Sequence, residues 1–240
     1  MSFEHSPAIW QTFPSLVAGV LIAENIRDDA DPGAMLQPWH ARARERLAGK
    51  SESDLPEVSA WRRAYAQMGL KPTQYRSAAE ALLRRLRREG ALPRVHPLVD
   101  LCNAVSTAWA LPVAVFDLAT VDRRLEVRHA RGDEQHLAFG GEIERPDPGE
   151  VIFADASDHA HARRWTFRQS RRSTVSPGTR TVLIVSEGLH PTADADVPAL
   201  LTALRGDLAR LSGRVRGPVV LTAAAPRVEF SLEPRPAGNV

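Results

Sequence analysis

At Pro112 the 240-residue chain changes its hydrophobic period, and that switch restricts the fold more than any single motif does. After it, apolar residues come in short runs of strand length: Val113–Phe116, Leu125–Val127, Val151–Phe153 and Thr181–Val185. Turns such as Gly140-Gly141 and Asp147-Pro148-Gly149 separate them. Before Pro112 the spacing is helical. Met35–Leu47 reads as one helix, and Trp61, Tyr65 and Met68 form a stripe that stops at Gly69. Helical spacing returns over Val197–Leu211. Strands gathered in the middle with helices on both sides imply an α+β fold, with central mixed or antiparallel sheets flanked by helices; a loosely α/β arrangement is the neighbouring alternative.

Several segments carry sharper signals. Ser15–Ile22 is an apolar run that reads as a buried strand, followed by a turn at Asp28–Gly33 and, after the next helix, a polar linker at Lys50–Pro56. Ser77–Gly90 (SAAEALLRRLRREG) is an amphipathic helix with a capping box, in which Ser77 takes an orphan amide and Glu80 returns the bond. Ala79, Leu82, Leu83 and Leu86 line its apolar face. Arg84, Arg85, Arg87 and Arg88 sit where cations offset the helix dipole, and Gly90 closes it. These arginines read as a solvated face or as an RNA contact. A further helix starts at Pro97 and buries Leu98, Leu101, Cys102, Val105 and Trp109, with Asp100 and Asn103 beside that face. Val219–Thr222 and Val228–Leu232 read as final strands, with a frayed tail from Pro234.

Composition narrows the function classes. No apolar run approaches the roughly 20 residues of a membrane helix, and Met1–Trp10 lacks the pattern of a secretory signal. Cys102 is the single cysteine, which excludes an internal disulfide and fits a reducing, cytoplasmic setting; on a buried helix face it reads as inert packing. The net charge of +2 is close to neutral, but nearly all the cations are arginines and they cluster. There is no phosphate-binding glycine loop, nucleophile elbow, HExxH or paired CxxC. His159 and His161 beside Asp155 and Asp158 have metal-like spacing, but no third distant ligand is indicated, so no metal and no cofactor is expected. The densest polar stretch is His159–Arg172. Trp165 and Phe167 alternate there with Arg164, Thr166 and Arg168, as in a strand with aromatics on one face. That pattern suits either a core strand with a basic outer face or a surface that stacks a nucleotide end.

The segment Val99–Asp117 (VDLCNAVSTAWALPVAVFD) resembles the VD-x-x-N, short helix and QPLHAFD of the editing domain (the B3/B4 domain) of the phenylalanyl-tRNA synthetase β subunit. Val127–Gly141 is similar to that family's VRRAREGE…LDG, and Glu150–Asp155 (EVIFAD) to its DLVIAD strand. Tyr75–Arg85 and Trp165–Arg168 are similar to the RPSVEALLRR-type helix and W-x-x-R segment of its free-standing relatives. The likeness places a motif core at about 61–188 within a single domain of 1–240, with a strand and helix extension at 1–60 and a C-terminal helix and strands at 189–240.

The synthetase domain hydrolyses the ester of tyrosine wrongly attached to its tRNA. The resemblance therefore implies a trans-acting aminoacyl-tRNA deacylase; a module that binds tRNA, RNA or an amino acid without catalysis is the alternative, and a hydrolase for another small ester or amide is a third. The suspected partner is tRNA or aminoacyl-tRNA, with no membrane. On this reading Arg168 and Gln169 contact the ester or ribose, Asn103 or Glu187 anchors the ammonium or orients water, and Trp165, Arg164 and Thr179 bind substrate. Arg163, Arg164, Arg168, Arg171 and Arg172 would serve phosphates in a pure binder. The family's histidine falls at Ala114, its paired glycines fall near Arg168–Ser170, and Glu187 is displaced from its glutamate.

Overall fold

A computed structural model of the chain describes residues 1–232. In chain order the elements are β1 (Ser2–His5), α1 (Pro7–Thr12), β2 (Val17–Glu24), α2 (Gly33–Leu47), α3 (Pro56–Gln67), α4 (Ala78–Glu89), α5 (Pro97–Trp109), β3 (Val113–Asp117) and β4 (Arg124–His129). There follow β5 (His136–Leu137), β6 (Ile143–Glu144), β7 (Val151–Asp155), β8 (Ala160–Arg163), β9 (Arg168–Gln169), β10 (Thr181–Gly188), α6 (Ala193–Leu208), β11 (Arg214–Leu221) and β12 (Arg227–Glu229).

The strands form two main sheets, in agreement with the α+β expectation. One is four-stranded and antiparallel, in the order β11-β2-β10-β3. The other is six-stranded, in the order β12-β1-β4-β7-β8-β9, and mixed, because β1 runs parallel to β4. Two cores result. Phe3, Phe116, Phe153, Trp165, Leu183 and Val185 belong to the core between the sheets. Val182, Ile184, Leu101, Val105, Leu200 and Leu204 belong to the core between the four-stranded sheet and its helices. Strand β10 is central and covered on both sides, which is why TVLIVSEG is apolar on both of its faces. Helix α6 lies so close to β2 that a Cβ built on Gly19 would stand 2.4 Å from Leu201 Cδ1.

The main helices and strands fall where the hydrophobic periods put them, with four corrections. The stretch around Trp165 is not a strand. Arg164–Phe167 is the turn of the β8–β9 hairpin, with Arg164 and Trp165 both at positive φ (46° and 57°). The Trp165 backbone N–H donates to Val151 O at 2.7 Å, and its ring is fully buried against Phe13 and Trp61. Burial of that large ring outweighs the cost of the left-handed backbone. The polar linker carries a 3₁₀ turn at Glu52–Asp54, and Glu52 is buried, accepting from Arg84 (3.2 Å) and Arg87 (2.8 Å). Two of the α4 arginines therefore anchor the helix rather than only solvate it. The α4 capping box is half made: Ser77 Oγ accepts from Glu80 N–H, while the buried Glu80 carboxylate is drawn to Arg62 at 2.8 Å. Strand β11 starts earlier than expected because it pairs with β2 from Arg214 onward. The tail from Pro234 lies outside the described residues.

Candidate functional site

A cavity enclosing about 210 Å³ opens between the two sheets, at their β3 and β9 edges. Alternation along β3 sends Ala114 and Phe116 into it and Val115 toward α5, with Val113 at the start of the strand bordering both sides. The same alternation along β10 aims Val185 and Glu187 inward. Phe153 of β7, Ala162 of β8, the Trp165–Phe167 turn and the start of α4 complete the wall, and Arg168 and Gln169 of β9 stand along it.

The one carboxylate in this apolar lining is Glu187, which is 2% exposed. Its Oε1 accepts the Trp165 Nε1–H at 2.9 Å and contacts His5 Nε2 at 2.6 Å. Neither bond uses Oε2, which no described protein group engages. That oxygen is left to accept from an ammonium, a hydroxyl or a water in the cavity. His5 reaches the site from β1, where its ring also packs on Phe3 and Trp10.

Arg168 is about one-third exposed, and Glu144 holds its guanidinium at 3.0 Å. Glu144 also pairs with the buried Arg163, which is shared with Glu150. Burial opposes ionisation of Glu144, but the bond from Arg163 and the positive field of Arg168 and Arg163 outweigh it and lower its pKa. The Gln169 Nε2–H group donates to Val115 O at 2.6 Å and to Ser173 O at 3.3 Å, capping the open edge of β3.

Of the residues singled out from the sequence, Trp165, Arg168, Gln169 and Glu187 thus line one cavity, with Ala114 on its wall. The other three lie elsewhere. Arg164 points its guanidinium over the Tyr75 ring, 4.7 Å from the centroid. Thr179 is buried, and its hydroxyl donates to Asp117 Oδ2 at 2.7 Å. Asn103 lines a second cavity, on the α5 side of β3. Sequence reasoning missed His5, because a contact across 182 residues leaves no local pattern.

Asp155 gathers its two histidines without forming a ligand cage. Its Oδ2 contacts His159 Nδ1 at 3.2 Å and His161 Nε2 at 3.1 Å, and backbone N–H groups of Asp122, Ser157 and His159 fill the rest. Burial opposes its ionisation, yet the bonds from His161 and those amides prevail and hold it well below the usual carboxylate range. Burial keeps the His161 pKa below the ordinary imidazole value despite that carboxylate. Asp158 pairs instead with Arg131 at 2.7 Å. Among the described residues, ligand atoms of Glu57, His190 and Asp196 do lie within 4.8 Å of one another. Arg46 already holds Glu57 there at 2.6 Å, and His190 holds Asp196 at 2.9 Å.

Cys102 faces the helix-side core, where burial pushes its thiol up to about 12, consistent with inert packing. No helix among the described residues is long and apolar enough to cross a membrane.

Two known proteins resemble this chain over different shares of its length. The phenylalanine–tRNA ligase beta subunit of Cereibacter sphaeroides is 34% identical over 71 residues, which are 30% of this chain and 9% of that subunit. This chain therefore spans a small part of that relative's length. An N-terminal fragment of the phenylalanyl-tRNA synthetase beta-subunit from Pyrococcus horikoshii superposes with a TM-score of 0.43 and 11% identity, over 89% of this chain and 49% of the fragment. The model of the B3/4 domain matches residues 60–197, more than half of the chain, and every residue lining the cavity beside Glu187 lies within that match. The chain belongs to the B3/4 domain family.

Proposed function

We propose that this protein hydrolyses the ester of a wrongly charged aminoacyl-tRNA in trans. The observation that carries the reading is the placement of Glu187. It is a buried carboxylate, fixed through one oxygen by His5 and Trp165, in a small apolar cavity beside Arg168 and Gln169. Membership of the B3/4 family and the likeness to a tRNA ligase subunit support tRNA as the partner.

An aminoacyl ester is already activated, so a site that positions it and a water can supply much of the rate. Glu187 Oε2 takes the α-ammonium or orients the water. Arg168 and Gln169 contact the ester or the ribose. Tests should use a panel of correctly and wrongly aminoacylated tRNAs, following loss of the ester. The expected result is release of one mischarged amino acid, abolished by Arg168→Ala or Glu187→Gln in folded protein. No hydrolysis above the buffer rate for any tested species would defeat the reading for those substrates.

A second reading, binding without catalysis, is favoured by Ala114, which stands on the cavity wall where the family motif carries histidine. A pure binder would retard tRNA without deacylating it, and its affinity would fall steeply with salt.

A further inference from the structure

Strand β3 is the edge of its sheet, and a second cavity, of about 290 Å³, lies on its other face, against α5. Its walls are apolar, including Val99, Cys102 and Val115. Two carboxamides interrupt them. Asn103 makes no side-chain hydrogen bond to any described residue, and the bonds of Gln169 go through Nε2, leaving its Oε1 without a described donor. At the rim stands Phe139, 61% exposed at the tip of the β5–β6 hairpin.

We propose that this second cavity is a nucleobase-binding subsite, in which Asn103 and Gln169 read the edge of the base and Phe139 stacks on its ring. An apolar side chain would leave both carboxamides unanswered. A nucleobase has flat apolar faces and an edge that carries donors and acceptors together; Asn103 offers both, and Gln169 offers the acceptor Oε1. Exposed aromatic rings are what such bases stack on. Gln169 and Val113 line both cavities, one on each face of the edge strand. A single ligand rounding that edge would place its base here and its esterified amino acid beside Glu187; this last step rests on the proposed deacylase reading. Arg171 and Arg172 follow Gln169 in the chain, and neither is paired with a carboxylate among the described residues, which leaves them for phosphate.

The test is binding of AMP, a probe with no aminoacyl group, measured by calorimetry with ribose 5-phosphate as the control. Phe139→Ala and Asn103→Ala should each weaken AMP about tenfold. Phe139 is a surface side chain, so its variant should keep the wild-type unfolding midpoint. The subsite is overturned if AMP binds no tighter than ribose 5-phosphate, or if both variants bind it as the wild type does. Deacylation is read separately on the tRNA panel. Loss of AMP binding with deacylation intact would sink the subsite alone, and the converse would sink the deacylase alone.

Discussion

His5 Nε2 and Glu187 Oε1 meet at 2.6 Å in the interior, although 182 residues separate them. The contact ties β1, which lies outside the B3/4 match, to the wall of the cavity. Trp165 Nε1 adds a second donor to the same oxygen. Removing either donor leaves a buried acceptor short of a partner, a penalty of about 1–3 kcal/mol. His5→Ala and Trp165→Phe should each lower stability by that amount in urea titration, and His5→Gln, which keeps a donor, should lose less. If the deacylase reading holds, the ester-hydrolysis rate should follow the same order.

Acid should loosen the Arg131–Glu134 turn. Glu134 is fully buried, which opposes its ionisation, but the Arg131 amide, the Arg128 guanidinium and the Gly132 amide overcome this and pull its pKa to about 2. A carboxylate lowered on folding contributes stability that is complete above its unfolded pKa, the ordinary value of 4.5, and is lost as pH falls toward 2. Glu134→Gln should therefore be less stable than wild type at pH 7, and the difference should shrink between about pH 5 and 2. Unfolding midpoints across that range would show it; a constant difference would argue against the coupling.

Gly19 is a packing requirement. With Leu201 Cδ1 and Val197 Cγ1 no more than 3.0 Å from where a Cβ would stand, Gly19→Ala must displace these fully buried side chains or the helix that carries them. The expected loss is about 1–3 kcal/mol, read as a lower denaturant midpoint, and Gly19→Ala combined with Leu201→Val should recover part of it.

Cys102 should resist alkylation in the native protein. It is 1% exposed, and burial pushes its thiol to about 12, so almost no thiolate is present at neutral pH. Iodoacetamide labelling followed by mass spectrometry should show modification only when the chain unfolds; rapid native labelling would contradict this burial.

Local signals determined much of the fold. The period change at Pro112, the Ser77 cap and Gly90 stop of α4, and the apolar run of β10 are each written within a few turns of chain, because side-chain spacing and capping act locally. The site was legible only in part. Trp165, Arg168, Gln169 and Glu187 could be named from the sequence, but their common cavity depends on pairing β10 with β3 and packing two sheets face to face. Tertiary structure alone decided that Trp165 sits in a turn, that Asn103 faces a separate cavity, and that His5 rather than a neighbour holds Glu187. Burying a large ring and satisfying a buried carboxylate are requirements of the assembled interior, and no spacing along the chain records which distant residue will meet them.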